Sequence, residues 1–367
     1  MSQPVFRPDQ TWRDAMEFGA RFARGAEALG RVRDADVDVG ATPKTEAMRV
    51  EKVSLHHYAP LPGVEIRTGP VLIVYGLIGR YTMADLQEDR SLVRNLLARG
   101  VDLWVVDWGH PSRADQFLTI DSYVDWYLDD CVEHIREVAG VDSVSLLGIC
   151  EGGTFSTIYA ARHPEKVRNL ILTITPIDFH ADLDHGDPSH GFINLWTRSL
   201  EEDDIHKLID AFGNLPGEIM ASVFQLMTPV RTMTKYNLDL LDVVDDDKKL
   251  LNFLRMEKWL SDRPHHPGAA ARQWLIDLYK ENRLVGGDLM IGGEPVRLDR
   301  ITMPVLNVYA LQDHIVPPPC STALGPLIGT GDYTELPLKG GHVGVYVSSK
   351  SQGIVGEKIF SWLSEKP

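Results

Sequence analysis

A cysteine stands between glycines at a point where the sequence predicts that a strand gives way to a helix. The apolar run 144–147 leads directly into GICEGG at 148–153. A nucleophile flanked in this way sits on a turn so sharp that the residues two before and two after it must carry almost no side chain. Gly148 and Gly152 meet that requirement. Cys150 is therefore a candidate nucleophile, with a thiol where a serine is more common.

Two later residues have the chemistry needed to activate this thiol. Asp313 follows the apolar run 305–309, and His342 follows a pair of glycines near the end of the chain. An imidazole can take the thiol proton and so produce the attacking thiolate, while a carboxylate can hold the imidazole in the right tautomer or act on a substrate hydroxyl. Nucleophile, acid and histidine follow one another in this order in the α/β-hydrolase fold. The sequence thus predicts the triad Cys150, Asp313 and His342.

The same fold supplies two backbone N–H groups that stabilise an oxyanion. One belongs to the residue after the nucleophile, which is Glu151. The other comes from the loop after an early strand, here the sequence GLIGRY, and we assign it to the amide of Ile78.

Strands and helices alternate along most of the chain, which predicts an α/β fold with a mainly parallel central sheet flanked by helices. Strands are predicted at 71–75, 101–107, 144–147, 170–174 and 305–309, and helices at 11–29, 86–99, 120–138, 154–162 and 353–363. Segment 177–296 has helical periodicity without a convincing strand, so we expect a helical cap over the carboxyl edge of the sheet. The predicted division is an N-terminal helix and linker (1–45), a first core part (46–176), the cap (177–296) and a second core part (297–367).

The composition limits the class of protein. Hydrophobic residues make up 44% and charged residues 24% of the 367, as in ordinary globular proteins. A formal net charge of −15 argues against a nucleic-acid binder. The three cysteines form no CxxC pair, and we expect Cys131 and Cys320 to be core residues. No apolar run has the length of a signal peptide or a membrane span, so a cytoplasmic location is expected.

Several histidines invite a metal site. They lie in two groups, His180, His185 and His190 in the first and His265 and His266 in the second. Neither group has the spacing of ligands on a helix. We therefore expect no metal and no cofactor.

The chain resembles the catalytic subunit, PhaC, of class III poly(3-hydroxyalkanoate) synthases over nearly its whole length. The resemblance is carried by RPDQTW, VGATPK, GRYTMADL, DWGHPSRADQFLTIDSYVDW, GICEGGTFS, HPEKVRNLILTITPIDF, PGAAARQWLIDLYKENRL, MPVLNVYALQDHIVPP and GGHVGVYVSS. It implies an enzyme that takes (R)-3-hydroxyacyl groups, typically 3-hydroxybutyryl, from coenzyme A and joins them into polyester through a cysteine-linked acyl group. Cys150, Asp313 and His342 fall on the triad of that family.

The resemblance also implies a second subunit, PhaE, a homodimer or hetero-oligomer, and a location at the surface of polyester granules. Two residues depart from the family pattern. Glu151 stands where glutamine is usual, and its carboxylate is expected to oppose thiolate formation or to shift substrate preference. Gly79 stands where asparagine is usual, which is expected to loosen the loop that carries Ile78.

Two other classes of function stay open at this point. One is a cysteine-type hydrolase of the same fold, such as a thioesterase or a dienelactone hydrolase relative. The other is a non-catalytic protein that binds granules or a partner, which a complete triad argues against.

Overall fold

The computed structural model describes residues 8–181, 192–226, 240–348 and 351–366. The strands in these residues are Lys44–Val50 (β1), Val53–Tyr58 (β2), Pro70–Val74 (β3), Asp85–Gln87 (β4), Arg90–Ser91 (β5), Asp102–Asp107 (β6), Val144–Ile149 (β7), Val167–Thr173 (β8), Met290–Ile291 (β9), Glu294–Pro295 (β10), Val305–Ala310 (β11) and Tyr333–Leu338 (β12). The α-helices are Pro8–Arg31, Leu92–Leu97, Asp129–Ala139, Glu151–Arg162, Phe192–Ser199, Glu202–Phe212, Gly217–Leu226, Asp247–Ser261, Gly268–Arg272, Arg283–Gly286, Pro318–Thr322, Gly344–Val347 and Ser351–Ser364. Two π-helical segments are Ser122–Leu128 and Gln273–Lys280.

Eight of these strands form one sheet in the order β1-β2-β6-β3-β7-β8-β11-β12. β1 and β2 pair antiparallel, β2 runs antiparallel to β6, and every pair from β6 to β12 is parallel. In a parallel sheet the carboxyl ends of the strands lie at one edge. The loops that follow β3, β7, β11 and β12 therefore open at the same edge, and these are the loops that carry the predicted site residues.

Both faces of the sheet are buried, which explains why its strands read as continuous apolar runs. In β3, Leu72 and Val74 point into one apolar cluster, shared with the helices at 120–139 and 151–162. The alternate residues Val71 and Ile73 point into a second cluster, shared with helices Leu92–Leu97 and Ser351–Ser364. The sequence prediction of a parallel sheet covered on both sides is confirmed.

The five predicted strands are present, and the predicted helices at 11–29, 120–138, 154–162 and 353–363 agree with the structure. The helix predicted at 86–99 is wrong in its first half, where β4 and β5 form instead. The buried Asp85 carboxylate accepts hydrogen bonds from the Thr42 backbone and hydroxyl and from the Ser91 hydroxyl, and these bonds hold an extended turn. The helix begins only at Leu92, where Ser91 accepts a hydrogen bond from the Arg94 amide as the N-cap.

Three strands of the large sheet, β1, β2 and β12, were not predicted. β1 is an edge strand with mostly exposed side chains, so it lacks an apolar signal. β12 contains Pro337 and is also half exposed, as an edge position allows.

The described residues between β8 and β11 are mostly helical, and they also contain the short hairpin of β9 and β10, which was not predicted. Their helix Asp247–Ser261 reaches the carboxyl edge of the sheet, where the Trp259 indole N–H donates to the carbonyl of Arg80 at 3.2 Å. Helix Pro8–Arg31 packs beside the start of this helix, where Ala28 joins an apolar cluster with Leu240, Val244 and Leu250 and Arg24 pairs with Asp245. The exact domain boundaries stay a prediction. Among the described residues, no helix is both long enough and apolar enough to cross a membrane.

The central strand β7 should control the stability of the whole sheet. We expect Leu146→Ala to lower the free energy of unfolding by about 2–5 kcal/mol, since it leaves a cavity at a fully buried position. Leu226→Ala, at a side chain that is 61% exposed, is the matched control and should change it by much less. Urea unfolding followed by circular dichroism measures both, and equal losses in the two variants would contradict the packing described here.

Candidate active site

Cys150 lies on a strained turn between β7 and helix Glu151–Arg162. Its φ of 54° and ψ of −125° fall in a region that side chains rarely adopt. The turn needs both predicted glycines, because a Cβ on Gly148 would lie 2.5 Å from the Cα of Gly153 and one on Gly152 would lie still closer to the carbonyl oxygen of Val74. The amide of Cys150 donates to the carbonyl of Thr173 at 3.0 Å. The predicted glycine requirement is thus a matter of close backbone approach at this turn.

Asp313 is fully buried in the loop after β11. One carboxylate oxygen, Oδ1, accepts hydrogen bonds from the amides of Ile315 and Val316, each at 2.9 Å. The other oxygen, Oδ2, lies 2.7 Å from Nδ1 of His342. All of its partners are donors, so the carboxylate is held in one orientation, facing the imidazole.

His342 lies in the loop after β12, and its side chain is 10% exposed. Burial lowers the pKa of His342, but the Asp313 carboxylate and the Cys150 side chain outweigh burial and raise the pKa to about 10. The imidazole therefore interacts with both other residues of the predicted triad. Such an environment favours the protonated form of the imidazole.

The second predicted feature of the site is the pair of oxyanion donors, the amides of Glu151 and Ile78. The Glu151 amide is in the first turn of its helix, where an N–H has no intrahelical acceptor, so it is available to a ligand. The amide of Ile78, however, donates to Oε2 of Glu151 at 3.2 Å, and the amide of Leu77 donates to the same oxygen at 2.6 Å. The role of Ile78 as an oxyanion donor stays a prediction, since in this structure its amide already has an acceptor.

The loop that carries Ile78 is anchored, although Gly79 led us to expect it to be loose. Arg80 forms an ion pair with Asp107 at 2.9 Å, and its carbonyl accepts from Trp259. A Cβ on Gly79 would lie 3.1 Å from the ring of Tyr75, so the small residue fits under this ring.

Sequence reasoning missed one member of the site, His266. Its Nε2 lies 3.0 Å from Oε1 of Glu151, and both side chains are almost fully buried. In the sequence RPHHPG, the two adjacent histidines had suggested only a possible metal site. No group of three potential ligands that could hold a metal exists among the described residues, and His185 and His190 lie outside them.

Comparison with known proteins agrees with this geometry. Residues 69–347 match the model of the alpha/beta hydrolase fold family. An esterase of known structure from Thermogutta terrifontis superposes with a TM-score of 0.50 at 15% identity, over 88% of this chain and 98% of the esterase. The chain therefore has the α/β-hydrolase fold.

Two relatives define the family more closely. The chain is 41% identical to the poly(3-hydroxyalkanoate) polymerase subunit PhaC of Allochromatium vinosum, over 98% of each chain. It is also 41% identical to the protein of the same name from Synechocystis, over 98% of this chain and 94% of the relative. The chain belongs to the PhaC family of poly(3-hydroxyalkanoate) polymerase subunits.

The environment of the three cysteines predicts selective alkylation. Burial raises the pKa of the Cys131 thiol, and Cys320 is also buried, whereas Cys150 is partly exposed beside His342. We expect iodoacetamide to modify Cys150 alone in the folded protein, and His342→Gln to slow this reaction at neutral pH because the imidazole no longer stabilises the thiolate.

Peptide mass mapping after timed alkylation measures this reaction, with Cys150→Ala as the unlabelled control. Modification of Cys131 or Cys320 before Cys150 would contradict the described site.

Proposed function

We propose that this chain polymerises (R)-3-hydroxyacyl groups, with 3-hydroxybutyryl as the first candidate, from their coenzyme A thioesters into a polyester that grows on Cys150. The observation that carries the proposal is the set Cys150, His342 and Asp313 on three loops at one edge of the sheet, with the 2.7 Å contact between His342 and Asp313. The family to which the chain belongs supports the substrate class.

A thiol suits this reaction better than a hydroxyl. When an acyl group passes from coenzyme A to a cysteine, one thioester is exchanged for another, and the two have similar energies. The acyl group on Cys150 therefore stays activated for attack by the next hydroxyl. A serine ester would be a poorer acyl donor.

The first step is acyl transfer to the enzyme. The Cys150 thiolate attacks the thioester carbonyl carbon, a new carbon–sulfur bond forms, and the bond to coenzyme A breaks. The departing thiolate takes a proton from the His342 imidazolium, while Asp313 holds the imidazole through Nδ1. The free amide of Glu151 donates to the oxyanion that forms on the carbonyl oxygen. Ile78 becomes a second donor if its amide exchanges Glu151 for this oxyanion.

The second step lengthens the chain. The 3-hydroxyl of another 3-hydroxyacyl-CoA attacks the acyl group on Cys150, His342 receives the hydroxyl proton with the help of Asp313, and the thiolate is released as the ester forms. The lengthened chain is then a coenzyme A thioester, and it returns to Cys150 by the first step. Water must be kept from the same acyl group. Helix Asp247–Ser261 reaches the sheet edge through Trp259, which supports a role for the segment between β8 and β11 in keeping water from the acyl group.

Polymerisation can be separated from hydrolysis by one assay. We expect purified protein supplied with 3-hydroxybutyryl-CoA to release coenzyme A and to form polyester. Cys150→Ser should lower the initial rate by roughly a hundredfold or more, because a hydroxyl ionises far less readily than a thiol.

Thiol release, free acid and polymer are measured together, and thermal unfolding shows whether the variant keeps its fold. Free 3-hydroxybutyrate as the main product would favour the thioesterase alternative. Normal polymer formation by Cys150→Ser would exclude the cysteine-linked chain.

We also propose that the chain works with a PhaE-type second subunit, in a homodimer or hetero-oligomer at the surface of polyester granules. Helix Pro8–Arg31 supports an assembly role, because four of its large apolar side chains are more than half exposed, namely Trp12, Met16, Phe18 and Phe22. Clustered exposed apolar side chains are typical of interaction surfaces.

Co-expression tests the dependence on this second subunit. We expect cells that make this chain together with a PhaE-type protein to accumulate several times more polymer than cells that make either alone. Cys150→Ala is the matched control, which should co-purify with the partner and yield no polymer. Equal polymer with and without the partner would show that the chain acts alone.

A further inference from the structure

A buried acid–imidazole pair lies directly beside the proposed nucleophile and is not used in the mechanism above. Glu151, the residue after Cys150, is 3% exposed, and His266 is 2% exposed. Oε1 of Glu151 lies 3.0 Å from Nε2 of His266. Burial of a charged group without a partner is costly, so each of these two side chains lowers the cost of burying the other.

The hydrogen bonds around the pair determine how many protons it holds. Oε2 of Glu151 accepts from two backbone amides, which can only donate, so a proton on this oxygen would face no acceptor there. Nδ1 of His266 lies 3.4 Å from the carbonyl oxygen of Pro267, which can only accept, so this contact is a hydrogen bond when Nδ1 carries a proton. In that state one further proton is left for the contact between Nε2 and Oε1, and the pair has no net charge whether this proton lies on nitrogen or on oxygen.

This neutrality matters for Cys150. A lone carboxylate on the adjacent residue would repel a thiolate, because like charges close together in a partly buried site are poorly screened by water. The other titratable or charged groups close to Cys150 or Glu151 are His342, Asp313, Tyr75, Tyr123, Tyr346 and Arg263. Among the residues that the structure describes, none of these six forms a hydrogen bond with the Glu151 carboxylate, whereas Nε2 of His266 lies 3.0 Å from its Oε1.

We propose that His266 is a positioning residue for acyl transfer, which neutralises Glu151 and so lets Cys150 ionise next to a carboxylate. The same contact fixes the Glu151 side chain under the amides of Leu77 and Ile78. His266 is itself held by paired backbone hydrogen bonds to Leu215, both at 2.9 Å, so the segment between β8 and β11 supplies this imidazole to the site. The part of the proposal that concerns turnover rests on the proposed function, whereas the effect on the thiol does not.

Alkylation of Cys150 as a function of pH tests the proposal without any substrate. In this reaction the thiolate sulfur bonds to the iodoacetamide carbon and iodide leaves, so the rate follows the thiolate fraction. We expect His266→Gln to move the profile to higher pH and to slow alkylation at pH 7 about tenfold, which corresponds to one pH unit. The double variant Glu151→Gln/His266→Gln, which has no charge to neutralise, should restore the wild-type profile.

His265→Gln is the matched control, because this neighbouring side chain is 46% exposed and does not contact Glu151; it should leave the profile unchanged. An unchanged profile in His266→Gln, or a double variant as slow as the single one, would overturn the proposal. If His266→Gln does not fold, Glu151→Gln replaces it. A neutral pair predicts a wild-type profile for this variant, and a clear move to lower pH would show that Glu151 is not neutralised.

The same variants in the polymer assay separate this proposal from the proposed function. A slower thiol with a proportional loss of polymer supports both. A shifted alkylation profile in a protein that forms no polymer at all supports the role of His266 and rejects the polymerase reaction.

Discussion

The left-handed backbone at Cys150 is the constraint on which the site depends. A residue with a side chain at φ 54° costs on the order of 1–3 kcal/mol, and such a conformation persists only where the surrounding structure imposes it. Here β7 fixes the chain before the cysteine and the helix from Glu151 fixes it after. Gly152 lets that helix start against the backbone at the end of β3, and Gly153 leaves room for the side chain of Thr175. The strain places the thiol and the first free N–H of the helix side by side.

The sheet brings the remaining residues to this point. β11 and β12 run parallel, and their pairing continues past the strand ends, where the amide of Gln312 donates to the carbonyl of Gly340 at 2.9 Å. Asp313 follows Gln312 directly and His342 comes two residues after Gly340, so their side chains are neighbours although 29 positions separate them. The order of the sheet, rather than any local sequence, decides that they meet at the end of β7. This is why the triad order is a property of the fold.

The features that were predicted correctly are those that a few consecutive residues reveal. The glycines around Cys150 and the apolar runs before Cys150 and Asp313 are visible in a few consecutive residues. The turn at Asp85 was missed because its hydrogen bonds come from Thr42, far earlier in the chain. The contact between Glu151 and His266 spans 115 positions, and no spacing rule links a glutamate in an elbow to a histidine in a proline-rich loop. Long-range polar pairs of this kind emerge only once the fold is known.

The electrostatics of the site follow from the local contacts around Cys150 and from the long-range contact between Glu151 and His266. In the proposed cycle the thiolate and imidazolium of Cys150 and His342 become a neutral thioester and a neutral imidazole when the acyl group is bound. The net charge of that pair is zero before and after transfer, because the proton leaves with coenzyme A. A buried carboxylate without a partner, next to Cys150, would add a second negative charge in every state that contains a thiolate. With His266 as its partner, Glu151 adds hydrogen-bond acceptors to the elbow without adding charge, so both states of the nucleophile are accommodated by the same surroundings.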